Sequence, residues 1–290
     1  MKKTGRFRTG KFILAAAGAA LAGAVAADAM GPPEITEYDV YSEKITDELD
    51  GYTIAHISDF HCACIPGLVG MIKRSGANII VSTGDTVNGR GSVERAVSLT
   101  GRLAEIAPLY MVTGNHDEER AEHKKVEKAC IAGGGEFLHN ESTIVSYKNS
   151  EIMISGSDDP AACGDEAVRL KTERNIEKSI ENTNDFKGFR ILLFHRANLA
   201  PLAAGYGFDL ILSGHMHGGQ IRIPGIGGVL SPRKNIMTKK IFFPEYTGGK
   251  YTMGASEVIV SRGLGNPVPL PRICNRPEIV IIKLRRKITG

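Results

Sequence analysis

Five times along this 290-residue chain, a short apolar run is followed within three residues by Asp, Asn or His. The runs resemble buried strands, and a rigid strand end fixes the loop residues that follow it. The five segments are Ser58-Asp59-Phe60-His61, Gly84-Asp85-Thr86-Val87-Asn88, Gly114-Asn115-His116-Asp117, Phe194-His195 and Gly214-His215-Met216-His217. Carboxylates, an amide oxygen and imidazoles together suit Zn, Mn or Fe. The pattern therefore predicts one metal site assembled from distant parts of the chain.

Strands and helices alternate along most of the sequence. The predicted strands are 52–58, 78–82, 109–112, 143–147, 151–155, 190–194, 210–213, 258–261 and 279–284, and the predicted helices are 92–106, 118–132 and 165–180. Such alternation is typical of an α/β fold in which helices cover a largely buried sheet. A stretch rich in Gly, Pro and Lys, residues 224–254, is predicted to be a long surface excursion near the site.

The first thirty residues differ from the rest. Five basic side chains precede an uncharged run, Phe12 to Ala27, which is shorter than the roughly 20 residues of a typical spanning helix. Small residues follow at 27–29, so a cleaved export signal and a retained N-terminal anchor both fit. We expect a leader at 1–29, a linker with a first strand at 30–50, and one catalytic domain at 51–290. Arg6-Phe7-Arg8 resembles a twin-arginine signal imperfectly.

The charge of the body argues against nucleic-acid binding. The leader accounts for the whole net charge of +4, and the remaining basic and acidic residues are equal in number. A neutral body has no electrostatic footprint for a polyphosphate backbone. The five cysteines form no Cys-x-x-Cys motif and are predicted to be free, which is unusual for an oxidising compartment.

In their order and spacing, the five segments resemble the signature of the calcineurin-like metallophosphoesterases. That signature runs D-x-H, G-D-x-x-D/N, G-N-H-D/E, a lone His and G-H-x-H, and the match extends from about residue 50 to the C-terminus. The resemblance implies two facing mixed β-sheets flanked by helices, a four-layer α/β/β/α sandwich. The segments 218–222, 261–265 and 276–279 look like the exported or membrane-associated bacterial branch, some members of which cleave the pyrophosphate of UDP-2,3-diacylglucosamine.

The resemblance also implies a role for each matching residue. Two divalent metal ions (Mn, Zn or Fe) would be held by Asp59, His61 and His217 on one side, by Asn115, His195 and His215 on the other, and by Asp85 between them. A hydroxide bridging the metals would attack phosphorus. His116 would donate a proton to the leaving oxygen. Asp117 would either orient His116 or cap the helix that follows.

Several other side chains have two interpretations. Arg196, Arg222 and Arg262 are candidates for binding substrate phosphate, with Arg262 preferred, although each fits a solvated surface arginine equally well. The segment 239–243 combines lysines with Ile and Phe; we favour a buried strand over a membrane-interface contact. Asn88 is expected to hydrogen-bond near the site. His56 is expected in the core, and His123 and His139 at the surface.

Together these features predict a metal-dependent hydrolase of a phosphoester or pyrophosphate bond. The substrate would be a phosphorylated small molecule or a lipid-linked molecule, with membrane contact through the N-terminus and a location outside the cytoplasm. A nucleotidase or phosphodiesterase acting on soluble substrates is the alternative. A non-catalytic scaffold fits less well, because His116 and every matched ligand are present.

Overall fold

Two six-stranded mixed sheets form the centre of the computed structural model, which describes residues 31–88, 91–161, 164–183, 185–231 and 241–287 and the isolated positions 18 and 23. In spatial order the first sheet contains β1 (Glu34–Ser42), β14 (Glu278–Arg286), β2 (Thr53–Ile57), β3 (Ile79–Ser82), β4 (Leu109–Met111) and β5 (Glu136–Phe137). The second contains β12 (Gly249–Met253), β13 (Ser256–Val260), β9 (Leu210–Gly214), β8 (Phe189–Arg196), β7 (Ser150–Ser157) and β6 (Glu141–Tyr147). The short strands β10 (Arg222–Ile223) and β11 (Gly227–Gly228) form a separate hairpin.

Helices cover the outer face of each sheet. They are α1 (Leu68–Arg74), α2 (Val93–Ala104), α3 (Asn115–Glu118), α4 (His123–Ala132), α5 (Asp165–Ile180) and α6 (Ala200–Ala203), with 3₁₀ turns at Ala197–Leu199, Ala204–Tyr206 and His217–Gly219. One apolar core lies between the sheets, a second joins the first sheet to α1, α2 and α4, and a third joins the second sheet to α5 and α6. The predicted four-layer α/β sandwich is confirmed.

Each central strand supplies side chains to two of these cores. In β2, Ile54 belongs to the core between the sheets, and its neighbour Ala55 belongs to the core under the helices. In β3, Ile79 and Ile80 divide in the same way. Successive side chains of a strand point to opposite faces, so a sheet covered on both sides requires continuous apolar runs. This is why the short uninterrupted apolar segments of the sequence became central strands.

Several details differ from the sequence-based expectations, besides the very short elements β5, β10, β11 and α6, which the sequence did not predict. The helix predicted over 118–132 is broken, and only α4 continues after the short α3. Helix α1 was not predicted. Strand β12 lies within the predicted surface excursion. The buried strand favoured for 239–243 is wrong for its described part, since Ile241, Phe242 and Phe243 are exposed; Lys239 and Lys240 lie outside the described residues.

The topology places the loops that carry the predicted ligands at one edge of the molecule. Strands β2, β3 and β4 run parallel in the first sheet, and β8 and β9 run parallel in the second. The carboxyl ends of parallel strands lie at the same edge, and here the edges of the two sheets meet. Within the described ranges, no helix combines the length and the apolar character needed to cross a bilayer. The predicted leader lies outside those ranges.

Candidate metal centre

Two groups of buried ligand atoms meet at this edge and have one residue in common. The first group contains Asp59, His61, Asp85 and His217, and the second contains Asp85, His195 and His215. Within each group the candidate ligand atoms all lie within 4.8 Å of one another. The side chain of Asp85 therefore belongs to both groups.

The closest approaches define which atoms face the centre. Asp85 Oδ2 lies 3.3 Å from His195 Nε2 and 3.6 Å from His61 Nε2. His217 Nε2 lies 3.3 Å from both His61 Nε2 and Asp59 Oδ1. Imidazole nitrogens and carboxylate oxygens pointing at one another at these separations leave lone pairs converging on a common point. That arrangement fits a cation better than it fits a network of direct hydrogen bonds.

Asn115 supplies the amide oxygen predicted for the second group. Its side-chain Oδ1 is buried and has no hydrogen-bond partner among the described residues. An unpartnered buried carbonyl oxygen is costly, and a metal ion would satisfy it. Asn115 also lines, with Asp85, His116, His215 and His217, a cavity of about 190 Å³ to which Pro267 and Val268 contribute the apolar part of the wall. The residues present therefore fit a pair of divalent ions, and all seven predicted ligands lie together.

The backbone is strained at most of these ligands. Five of them, namely Asp59, His61, Asp85, His215 and His217, have φ angles between 48° and 73°. Non-glycine residues rarely adopt this left-handed conformation, which costs about 1–3 kcal/mol per residue. The strain persists because the apolar cores on both faces of the sheets hold in place the strands from which these loops emerge.

Glycines next to the ligands allow the loops to approach one another. A Cβ atom on Gly84 would lie 2.6 Å from the carbonyl carbon of Thr113 and 2.7 Å from Gly114 Cα. A Cβ on Gly114 would lie 2.8 Å from Asp85 Cγ, and one on Gly263 would lie 2.7 Å from Asp59 Cβ. A side chain at position 84 or 114 would overlap the facing loop, which explains why glycine precedes Asp85 and Asn115 in the sequence.

Main-chain groups orient the ligands from outside the centre. His195 Nδ1 lies 2.7 Å from the carbonyl oxygen of Thr83, so this nitrogen donates and Nε2 is left as the ligand atom. The main-chain N–H of His215 donates to the Asp59 carboxylate at 3.0 Å. The main-chain N–H of His116 donates to Asp85 Oδ1 at 2.7 Å, which leaves Oδ2 toward the histidines.

Burial and the neighbouring charges shift the pKa values of the ligand side chains. Burial, reinforced by Asp85, raises the pKa of Asp59 to about 6. Burial acts against the charged form of His195, but the adjacent Asp85 carboxylate outweighs it and raises the pKa of His195 to about 10. Burial would also raise the pKa of Asp85, yet the attraction of His195 holds it well below its usual value. In the absence of metal, a proton on His195 therefore compensates the Asp85 charge, and metal binding must displace it.

His116 and Asp117 have different surroundings. His116 is half-buried, lines the cavity, and packs edge-on against His61 with ring centroids 5.0 Å apart. The Asp117 carboxylate is buried and accepts main-chain N–H groups of Thr86, Val87 and Gly114 at 3.0–3.2 Å. These contacts tie the Asp85 loop to the Asn115 loop. Asp117 lies inside α3, where its carboxylate accepts the N–H of the N-cap residue Gly114, so the expectation that it is the N-cap of the helix that follows is wrong; the N-cap of α4 is Glu122.

The three arginines predicted to bind phosphate are engaged elsewhere. Arg196 is buried, and its Nε and Nη2 atoms donate to the two Asp159 oxygens at 2.7 and 2.8 Å. Arg262 Nη2 lies 2.8 Å from Glu34 and 2.9 Å from Glu278.

Arg222 Nη1 donates to the carbonyl oxygen of Gly218 at 3.1 Å. None of the three arginines lines the cavity that holds the predicted ligands. We therefore correct the expectation for Arg196 and Arg262, whose charges are already neutralised by carboxylates, and assign Arg222 to the support of the loop after His217.

Two further residues support the centre and were not predicted. Arg272 is almost fully buried; its Nη2 lies 3.3 Å from His217 Nδ1 and also donates to the Gly265 carbonyl oxygen. The Asn275 side-chain amide donates to the carbonyl oxygens of His217 and Gln220. Both follow His217, the last predicted ligand, by more than fifty residues, and they lie between the segments 261–265 and 276–279 without belonging to either.

The remaining histidines and cysteines lie outside the centre. His56 is fully buried and hydrogen-bonded to Thr83, as expected for a core residue. His123 and His139 are partly exposed, and His139 Nδ1 lies 3.0 Å from Asp158 Oδ2. Asn88 accepts the Gly91 N–H. The four described cysteines are free, and Cys163 lies outside the described residues.

Two mixed sheets with a buried Asp/His/Asn centre at their common edge define the class of metal-dependent phosphoesterases. The sequence profile of the calcineurin-like phosphoesterase family matches residues 52–219, more than half of the chain, and the chain belongs to that family. It is therefore a metal-dependent phosphoester hydrolase by family and by site, and the shared Asp85 fits a site for two divalent ions.

Named relatives fall within the same family. The chain is 30% identical to the uncharacterized metallophosphoesterase YkuE of Bacillus subtilis, covering 98% of this chain and 99% of the relative. It is 27% identical to the phosphodiesterase YaeI of Escherichia coli, covering 63% of this chain and 60% of the relative. Among solved structures, TT1561 of Thermus thermophilus is similar with a TM-score of 0.47 and 15% identity, covering 72% of this chain and 88% of that one.

Proposed function

We propose that the centre binds two divalent ions of Mn, Zn or Fe and hydrolyses a phosphoester or pyrophosphate bond. The observation that carries the proposal is that Asp85 belongs to both ligand groups. Two cations held close together repel one another, and a shared carboxylate reduces that repulsion. When bound, such a metal pair lowers the pKa of a water molecule and neutralises charge on the phosphoryl oxygens.

The remaining chemistry is proposed for residues of the chain itself. Asp59, His61 and His217 would hold one ion, and Asn115, His195 and His215 the other. His116 faces the same cavity without belonging to either ligand group. Its imidazole would deliver a proton to the leaving oxygen, or stabilise the negative charge that develops there. Asp117 would keep the Asp85 and Asn115 loops together.

For the substrate, we propose a membrane-derived or nucleotide-linked lipid, hydrolysed at the extracytoplasmic face of the membrane. The support is the basic and apolar leader in the sequence, which would direct the chain across a membrane or anchor it there. Whether the leader is cleaved would be read by N-terminal sequencing of the mature protein.

Two substitutions test the catalytic proposal. Asp85→Ala should remove bound metal and abolish hydrolysis of an aryl phosphate. His116→Ala should retain metal but lower kcat by about 10²–10⁴-fold. His123→Ala, which removes an imidazole from outside the cavity, is the matched control and should behave as wild type. Full activity after complete metal removal, or normal turnover in His116→Ala, would contradict the proposal.

A panel of substrates tests the proposal that the substrate is a membrane-derived or nucleotide-linked lipid. Purified enzyme with added Mn would be given aryl phosphates, cyclic nucleotides, nucleotide-sugars and lipid phosphates at equal concentrations. Higher kcat/KM for a nucleotide-linked lipid is expected. Preference for cyclic nucleotides or other soluble esters would replace the lipid substrate with the soluble alternative while leaving the metal mechanism intact.

A further inference from the structure

Exposed apolar side chains are concentrated near the edge that carries the metal centre. Ile226 is 69% exposed, Phe242 63% and Phe243 54%. We define the apolar rim as the exposed residues Ile223, Ile226, Ile241, Phe242, Phe243 and Leu270. The rim accounts for six of the eleven large apolar side chains that are exposed among the described residues, although it falls within a fifth of the sequence. Such a concentration marks an interaction surface.

Hydrogen bonds connect the rim to the metal-binding loop. The 3₁₀ turn at His217–Gly219 is followed by Gln220, whose side-chain amide donates to the carbonyl oxygen of Leu270. The Gly219 carbonyl oxygen accepts the N–H of Val229, and Val229 in turn accepts the N–H of Phe243 at 2.8 Å. Ile223 and Ile226 lie on the hairpin of β10 and β11, next to the same turn. The rim therefore extends outward from the loop that holds His217.

The start of the described chain lies at the same edge. Gly31 and Pro32 line a cleft of about 440 Å³ together with Leu264, Gly265 and Asn266. The segment 264–270 continues from this cleft to Pro267 and Val268, which line the metal cavity, and to Leu270 of the rim. In the sequence, only Met30 separates the predicted leader, residues 1–29, from Gly31. A leader held in a bilayer would thus join the body beside the rim.

We infer that the apolar rim inserts into the interfacial region of a lipid bilayer, so that the metal centre faces the membrane surface. Phe and Ile side chains at the level of the headgroups bury apolar area in this way, and Lys or Arg adjacent to them in sequence would add attraction to anionic lipids. The nine residues that join Ser231 to Ile241 in the sequence include four Lys or Arg and no Asp or Glu. The bilayer expected is therefore one that contains anionic lipid.

The absence of tryptophan from the sequence provides a direct test. Phe242→Trp places a single fluorophore on the rim, and Tyr41→Trp places one at a position that is 58% exposed on the opposite edge. β1 begins beside the metal centre, where Glu34 pairs with Glu278, and it reaches the far edge where Tyr41 pairs with Arg285. The full chain would be mixed with vesicles of phosphatidylcholine and phosphatidylglycerol, with and without brominated acyl chains.

Insertion predicts that the emission of Phe242→Trp shifts to shorter wavelength with vesicles and is quenched by the brominated lipid, whereas Tyr41→Trp shows neither change. Since the leader is present in both variants, leader binding alone would leave position 242 unquenched and would overturn the inference. Equal quenching at both positions would also overturn it. A blue shift at 242 without lipid that grows with protein concentration would instead indicate a contact between two copies.

Urea unfolding of both variants checks that they are folded, and Phe243→Trp serves if Phe242→Trp does not fold. The fluorescence result does not depend on the reaction catalysed. The inference can therefore fail while the catalytic proposal holds, and the reverse is equally true.

Discussion

Gly114 separates strand β4 from the ligand Asn115 and lies against the shared ligand Asp85. A Cβ atom at this position would lie 2.8 Å from Asp85 Cγ and closer still to Asp85 Oδ1 and its main-chain nitrogen, where ordinary contacts begin near 3.4 Å. The backbone of Gly114, with φ −108° and ψ 178°, is one that alanine adopts without strain. Gly114→Ala therefore perturbs the site through steric overlap alone.

Both the main-chain nitrogen and the carboxylate of Asp85 must move, because the added Cβ overlaps both of them. The bond from His61 N to Asp85 O at 3.0 Å resists a shift of this loop, and the carboxylate would be displaced from its position beside His195 and His61 by at least half an ångström. A misplacement of about 1 Å at a reacting centre costs about 10²-fold in rate, and overpacking of this kind costs about 1–3 kcal/mol of stability. We expect Gly114→Ala to bind less than two metal ions per chain and to lose about two orders of magnitude in kcat.

Metal stoichiometry by elemental analysis, aryl phosphate turnover and urea unfolding would measure the three effects. Gly101→Ala is the matched control: Gly101 lies in helix α2, and a Cβ atom added there would have no neighbouring atom within 4 Å. That variant should be more stable by about 0.5–1 kcal/mol with unchanged turnover. Wild-type metal content and turnover in Gly114→Ala would refute the steric reasoning.

Three further predictions concern the surroundings of the centre. Asp117→Asn replaces one of two oxygens that accept three main-chain N–H groups, so it should lower the free energy of unfolding by about 1–3 kcal/mol and weaken metal retention, as urea unfolding and metal analysis would show. Asp159→Ala leaves the Arg196 guanidinium buried without its carboxylate and should cost about 3–5 kcal/mol in the same unfolding assay. The hydrogen bond to Asp158 raises the pKa of His139 to about 9, above the roughly 6.5 of an unfolded histidine. The stability difference between wild type and His139→Gln should therefore be greatest below about pH 6.5 and disappear as the pH rises through 9, and a constant difference in urea midpoint across that range would contradict this.

The ligands could be predicted from the sequence because the pattern that reveals them is local. Each follows a readable apolar run within a few residues, although β8 extends to Arg196 and so includes His195 itself, and strands such as β2 and β3 are buried on both faces. The parallel arrangement then brings their ends together. Helix α5 was predicted with its observed bounds from its charge pattern, which is also local; the structure adds that Val168, Thr172 and Ile176 are buried.

The arginines could not be assigned in this way, because their partners are set by tertiary structure. Arg196 meets Asp159 from a different strand end, and Arg262 meets Glu34 from the opposite end of the chain. A guanidinium next to a ligand in sequence is therefore no guide to which anion it binds. Residues 241–243 were mispredicted for the same reason. Their apolar composition suggested burial, but whether a segment is buried depends on the elements that pack against it, and here Ile241, Phe242 and Phe243 are exposed.

The common carboxylate also has a consequence for how the protein acquires its metals. Asp85 Oδ2 lies within 3.6 Å of both His195 Nε2 and His61 Nε2, so a cation held by one ligand group would change the charge that Asp85 presents to a cation in the other group. The two binding constants would therefore be thermodynamically linked. Intermediate metal concentrations should yield a population whose activity does not rise in simple proportion to the metal added.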